Sequence, residues 1–228
     1  MRVIAIDGPA ASGKSSTAQA VARRLRWAHL DSGALYRALT LAALDRHGEG
    51  AGAKWSAPRI VALAEDLPVR LVLVGGTFRP EVSGVDVEEA IRGERVTARV
   101  SELAAIPEVR RWVNVQQREA ALRHPGGVVV DGRDIGTVVF PDAPLKVFLT
   151  ATPLERARRR LSQRGEPVDP ARLRREAEAL AARDEADATR AVAPLRAAAD
   201  AVLLDTTGLS LADQVDRVVA LARARLPG

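Results

Sequence analysis

The run Val3-Ile4-Ala5-Ile6-Asp7-Gly8-Pro9-Ala10-Ala11-Ser12-Gly13-Lys14-Ser15 decides how the rest of the chain is read. It sets four apolar residues before a G-x-x-x-x-G-K-S pattern, and that context predicts strand, glycine-rich loop and helix. Successive backbone N–H groups of such a loop converge on one concavity, and the positive end of the following helix adds to them. The stretch Gly8, Pro9, Ala10, Ala11, Ser12, Gly13, Lys14, Ser15 and Ser16 is therefore a candidate socket for the phosphates of ATP. Lys14 would reach the β- and γ-phosphates, and the Ser15 hydroxyl would ligate Mg²⁺. The plain alternative is a glycine-rich turn before an ordinary helix. Two details favour phosphate. The chain has only three lysines, Lys14, Lys54 and Lys146, so a compact ammonium is kept where arginine is otherwise used. Nothing acidic stands in the first turn of the helix expected over 16–25, which leaves its N-terminus open to an external anion.

The chain has 228 residues, 47% hydrophobic and 3% aromatic, enough for one substantial core with a small insertion. With no cysteine, disulfides, thiolate metal sites and cysteine nucleophiles are excluded. No signal peptide follows Met1-Arg2, and no apolar stretch approaches the ~18 residues of a membrane span. The expectation is a cytoplasmic protein without a membrane partner. Net charge is +5, but the arginines cluster at 156–164 and 172–190 with acidic residues among them. That grouping suits small polyanions better than a nucleic-acid duplex. No strongly apolar exposed helix face stands out, so a monomer is expected.

Downstream, strand and helix alternate. Strands are expected at 28–31, 128–131, 145–149 and 201–204, and helices at 35–46, 58–66, 94–105, 108–122, 153–164, 170–186 and 210–225. A loop falls near 48–52. Between 68 and 92 the texture changes to an antiparallel unit, with Val69–Val74 alternating and Gly75-Gly76 as its turn. Apolar strands bounded by helices imply a parallel sheet covered on both faces. The fold class predicted is α/β, a P-loop three-layer sandwich with a central parallel sheet. Its expected parts are a core (1–31, 93–150, 191–228), a region 32–92 holding the antiparallel insertion, and a helical lid at 154–190.

Three segments complete the candidate site. Asp131-Gly132-Arg133-Asp134 ends an apolar strand at the carboxyl edge, where open α/β sheets bind ligands; a polar turn is the alternative. Asp31-Ser32-Gly33-Ala34-Leu35-Tyr36-Arg37 follows the second strand, and Ser32 is there a candidate helix cap. Arg183, Asp187 and Arg190 recur at i, i+4 and i+7, so they share one helix face, either as a site or as a surface charge ladder. No N-K-x-D motif points to a GTPase, and the strand at 128–130 does not end in the Asp-Glu of a motor ATPase.

Together these segments, with Gly136-Thr137-Val138-Val139-Phe140-Pro141 and Arg190-Ala191-Val192-Ala193-Pro194-Leu195, resemble bacterial cytidylate kinases, in order and over nearly the whole chain. The resemblance implies phosphoryl transfer from ATP to CMP or dCMP, with Mg²⁺ as cofactor and 32–92 as the monophosphate-binding region. It implies acceptor contacts from Ser32, Tyr36, Arg37, Arg110, Arg133, Asp134, Arg183, Asp187 and Arg190. It makes Lys14, Arg133, Arg159, Arg183 and Arg190 the catalytic candidates, Arg159 as part of a lid whose arginines meet the transferring phosphoryl group. Ser15 would hold the metal, with Asp31 or Asp131 acting through water. The loop carries one glycine fewer than many of its kind, leaving Gly8 and Gly13 to supply permissive φ angles. An acceptor phosphate is already ionised and needs no general base, so His29, His47 and His124 are expected to be structural or solvent-facing. The alternatives are another small-molecule kinase on the same scaffold and a nucleic-acid-binding ATPase.

Overall fold

A computed structural model describes residues 2–48 and 55–226. Lys54 and most of the loop expected near 48–52 lie outside the described residues. Strand β1 (Val3–Asp7) is wholly buried and runs into the glycine loop, and helix α1 (Lys14–Leu25) follows. Next come β2 (Ala28–Asp31) and α2 (Ser32–His47), then α3 (Ala57–Asp66). The antiparallel unit is β3 (Val69–Val74), β4 (Thr77–Val82) and β5 (Val85–Asp86). Helices α4 (Glu94–Ala104) and α5 (Pro107–Leu122) lead to β6 (Val128–Gly132). The chain finishes with β7 (Leu145–Thr150), α6 (Pro153–Gln163), α7 (Pro170–Thr189), β8 (Val202–Asp205) and α8 (Leu211–Arg225).

The strands form one sheet in the order β3-β4-β2-β6-β1-β7-β8, with β5 on β4. All neighbours from β4 through β8 are parallel, and only the β3, β4 and β5 pairings are antiparallel. The antiparallel unit is thus no separate appendage. Thr77 and Phe78 pair with His29 and Leu30, so the hairpin extends the main sheet and covers the β2 edge that would otherwise stay unpaired.

Alternation along β1 explains the layers. Ile4 and Ile6 face one side, where Val21 and Ala22 of α1 and Val215, Val218 and Val219 of α8 pack with Leu145 and Leu149. Val3 and Ala5 face the other side, against Val128, Val130, Ala120 and Ala121 of α5, and Ile135. A third cluster joins α2 to α3, α4 and α5 through Leu35, Leu39, Ile60, Leu103 and Val113. Helix α8 begins with a capping box, Ser210 and Asp213 exchanging bonds at its first turn. Two local readings of the sequence are corrected. The cap of α2 is Asp31, whose Oδ1 accepts the Gly33 N–H at 2.8 Å, and Ser32 is already helical. Residues 135–139, given no element from sequence, form a short wide helical turn.

What this framework fixes is one edge. In the parallel register Ile6 lies beside Asp131, and Asp131 beside Asp31. The phosphate loop and both strand-end aspartates therefore emerge together at the carboxyl end of the sheet, as a switch-point site requires.

Candidate active site

The phosphate loop is held open from beneath. A Cβ on Gly8 would lie 2.4 Å from the Leu149 carbonyl oxygen, so no side chain fits where the loop leaves β1. Gly13 caps α1 at φ +93°, and no acidic residue stands in the first turn. Ala11 also takes a left-handed φ of 58°, so the permissive angles are not confined to the two glycines. Lys14 is buried and donates to the Pro9 carbonyl at 3.3 Å. Burial, and next the neighbouring Arg133, lower its pKa to about 7, so the ammonium stands ready to gain from an anion.

Beside the loop, Ser15 Oγ donates to Asp131 Oδ2 at 2.5 Å. The other oxygen of the same carboxylate, Oδ1, lies 2.8 Å from His29 Nε2. His29 thus finds its partner on the neighbouring strand, because β2 and β6 are adjacent and the two side chains share a face. Burial alone would lower the His29 pKa, but the bond to Asp131 and its charge raise it above the ordinary value. Asp31 is differently employed. It takes Arg92 at 2.8 Å as well as the α2 cap, and Arg92 overcomes the effect of burial and holds the carboxyl below its usual range. Among the described residues no group of three or more His, Cys, Asp or Glu could hold a metal ion. Ser15 and Asp131 instead suit a hard cation that would keep several of its waters.

Across the cleft runs a chain of alternating charge. Arg110 is buried, donates to Asp134 Oδ2 at 2.5 Å, and lies over the Tyr36 ring at 5.4 Å. Asp134 is approached by Arg190 at 3.9 Å, Arg190 by Asp187 at 3.7 Å, and Asp187 accepts from Arg133 at 3.0 Å. Arg37 is anchored by Thr97 Oγ1 at 2.9 Å, and burial lowers its pKa to about 10. The Oγ of Ser32 is so close to Gly132 that a Cβ there would stand 2.3 Å away. Arg183 and Arg160 make no ion pair among the described residues, and burial followed by Arg133 lowers the Arg183 pKa. These groups and the loop line one cleft of about 490 Å³, with Lys14 and seven arginines facing four aspartates. Such a surplus of fixed positive charge suits two or more phosphates.

The structure brings together Ala10, Ala11, Gly13, Lys14, Ser15, Ser16, Ser32, Tyr36, Arg37, Arg110, Arg133, Asp134, Arg183, Asp187 and Arg190, with Asp31 and Asp131 between them. Gly8, Pro9 and Ser12 do not line the cleft. Arg159 departs from expectation. Its guanidinium is engaged behind the loop, by Glu155 at 2.8 Å, Ser12 O at 3.3 Å and Thr206 O at 2.5 Å. On α6 it is Arg160 and Gln163 that line the cleft. Arg156, on the same face one turn earlier, donates to Ala10 O at 3.0 Å and pairs with Asp184, which accepts the Ala10 N–H at 3.2 Å. Sequence reading also missed Arg92 and Ser101, which line the cleft from the segment after β5 and from α4. Neither has a motif to mark it. His29 had one signal, a polar residue inside a strand buried on both faces.

A parallel α/β sheet with a strand–phosphate loop–helix start, and a cationic cleft at its carboxyl edge, defines a P-loop kinase. The cytidylate kinase family model matches residues 4–224, and the chain belongs to that family. It is 44% identical over 219 residues to the cytidylate kinase of Nitrosococcus oceani, covering 95% of this chain and 94% of that protein. Against the cytidylate kinase of Escherichia coli (strain K12 / DH10B) it is 44% identical over 224 residues, 98% and 96% of the two chains. The crystal structure of TT1252 from Thermus thermophilus, 21% identical and covering 100% of this chain and 98% of its own, has the same fold at a TM-score of 0.51.

Proposed function

We infer that the chain transfers the γ-phosphoryl group of ATP to CMP or dCMP, giving ADP and the nucleoside diphosphate. The observation that carries this reading is the meeting of two anion sites in one cleft, the glycine loop with Lys14 and the Arg133–Arg183–Arg190 group opposite. The loop N–H groups and Lys14 hold the donor phosphates. Ser32, Tyr36, Arg110, Asp134 and Asp187 orient the acceptor's base and sugar, while Arg37, Arg133, Arg183 and Arg190 hold its phosphate. An acceptor phosphate oxygen is ionised at neutral pH and attacks without a general base, so catalysis is alignment and charge neutralisation. Arg160, which lines the cleft and makes no ion pair among the described residues, takes the lid role first expected of Arg159. Mg²⁺, when bound at Ser15 with Asp131 behind it, neutralises charge on the donor phosphates.

The proposal divides the chain as sheet core, acceptor region 32–92 and lid 154–190, and treats the protein as a cytoplasmic monomer. No helix among the described residues is long and apolar enough to cross a membrane. An ADP-release assay with ATP and each of CMP, dCMP, UMP, AMP and shikimate tests the function. CMP and dCMP should lead by roughly 10²-fold in kcat/KM over AMP and shikimate. Preference for either of the latter would overturn the reading. ATPase activity stimulated by long RNA or DNA in a salt-dependent way would replace it with the nucleic-acid alternative.

A further inference from the structure

We propose that His29 is a positioning residue that locks the Asp131 carboxylate, and through it the Ser15 hydroxyl, into the geometry that receives the metal ion. The inference rests on the reading of Ser15 and Asp131 as the metal side of the site. An imidazole in the middle of β2, between Ala28 and Leu30, is costly to bury unless its polar atoms are used. Only one of them is. Nε2 lies 2.8 Å from Asp131 Oδ1, while Nδ1 is buried and has no hydrogen-bond partner among the described residues. Against a carboxylate Nε2 must be the protonated nitrogen, since a bare one would set lone pair against lone pair.

Asp131 thus receives a donor on each oxygen, His29 on Oδ1 and Ser15 on Oδ2, and no other described side chain hydrogen-bonds to it. Two donors on opposite oxygens fix the carboxylate plane, which a single hydroxyl would leave free to turn. The Ser15 proton is then directed at Oδ2, and the lone pairs of its oxygen are left for a cation in the loop's mouth. A histidine serving only as core filler would need no donor at this place, and leucine would replace it. Outer partners of this kind typically change metal affinity 10- to 100-fold.

The test compares His29→Leu, of similar bulk without a donor, with His29→Gln, whose amide can supply one near the Nε2 position. Mn²⁺ binding to the ADP complex, followed by electron paramagnetic resonance, reports the site without turnover. His29→Leu should weaken Mn²⁺ by about 10-fold, and His29→Gln should recover most of the loss. In turnover the Mg²⁺ concentration for half-maximal rate should rise more than kcat falls at saturating Mg²⁺. Equal behaviour of the two variants, or Mn²⁺ affinity unchanged in His29→Leu, overturns the role of His29. Ser15→Ala separates the two levels: unchanged Mn²⁺ affinity there sinks the metal reading itself, while a loss there without one in His29→Leu sinks only the inference. Nitrogen-15 shifts of the His29 ring in the unmodified protein add a check independent of variant folding. A protonated Nε2 supports the proposal, and a bare Nε2 rules it out.

Discussion

Asp7 ties the strand that feeds the glycine loop to the turn that follows Arg133 and Asp134. Its two oxygens accept the N–H groups of Ile135 and Gly136, each at 2.8 Å. Burial raises its pKa to about 6, outweighing both bonds, and Asp134 adds to the rise. Because the folded value lies above the ordinary carboxyl value of 3.8, the folded chain binds more protons between the two. The associated stability is whole below about pH 4 and is lost as pH rises through about 6. Urea unfolding of the protein and of Asp7→Asn at a series of pH values checks this. The stability of the protein relative to the variant should decline across that window and level off above it; a constant difference would refute the shift. Arg183 gives the opposite kind of prediction, since among the described residues it has no ion-pair partner to lose and it lies beside the like charge of Arg133. Arg183→Ala should therefore cost roughly 10²-fold or more in kcat/KM for CMP, with ATP binding and thermal stability near normal. A fall in melting temperature matching the fall in rate would mean that Arg183 serves the fold instead.

At the scale of elements, helices α6 and α7 are fastened to the glycine loop by a charge and an apolar patch. Asp184 on α7 takes the Ala10 N–H and pairs with Arg156 of α6, while Ala10, Ala157 and Leu180 pack together beside them. Asp184→Ala would strand a buried guanidinium, so a loss of about 3 kcal/mol in chemical denaturation is expected. Asp184→Asn, which keeps an acceptor for Ala10, should lose less; equal losses would show that the bond to the loop adds nothing. This fastening also marks where sequence reading stopped. Helices α1, α5 and α8 announce themselves by apolar period, and β1 and β6 by apolar runs that end at Asp7 and Asp131. The docking of β4 on β2 left no trace, because it depends on which edge lies free after β2 and β6 have paired. The turn at 135–139 is shaped by Asp7, more than 120 residues away, and local pattern does not carry such a contact. Arg159 and Arg160 are adjacent and chemically identical in sequence; only the roll of α6 against the loop sends one behind it and the other into the cleft.

On the scale of the whole molecule the sheet gathers at one edge what the chain scatters over nearly its full length, from Lys14 to Arg190. Motifs at positions 8–16, 31–37, 131–134 and 183–190 were legible because each is a short stretch in which function dictates residue type. Their convergence was legible only through parallel topology, which puts all strand ends on one side. The assembled cleft holds eight cationic side chains against four carboxylates, so the repulsion between Arg133, Arg183 and Lys14 is only partly offset by Asp187, Asp131 and Asp31. Anionic ligands relieve that repulsion as well as making contacts, and binding to the folded state alone raises stability by mass action. At about 100 times its dissociation constant a ligand contributes about 2.7 kcal/mol. For a chain of 228 residues that corresponds to roughly 5–10 °C in melting temperature. CMP should therefore raise the melting temperature by this amount at low ionic strength, and AMP at the same concentration should raise it far less. Added salt should shrink the CMP shift, because screening removes the repulsion that the phosphate relieves. A shift equal for CMP and AMP would mean that the arginines bind phosphate while Ser32, Asp134 and Asp187 read nothing of the base or sugar, and the acceptor assignment would fall with it.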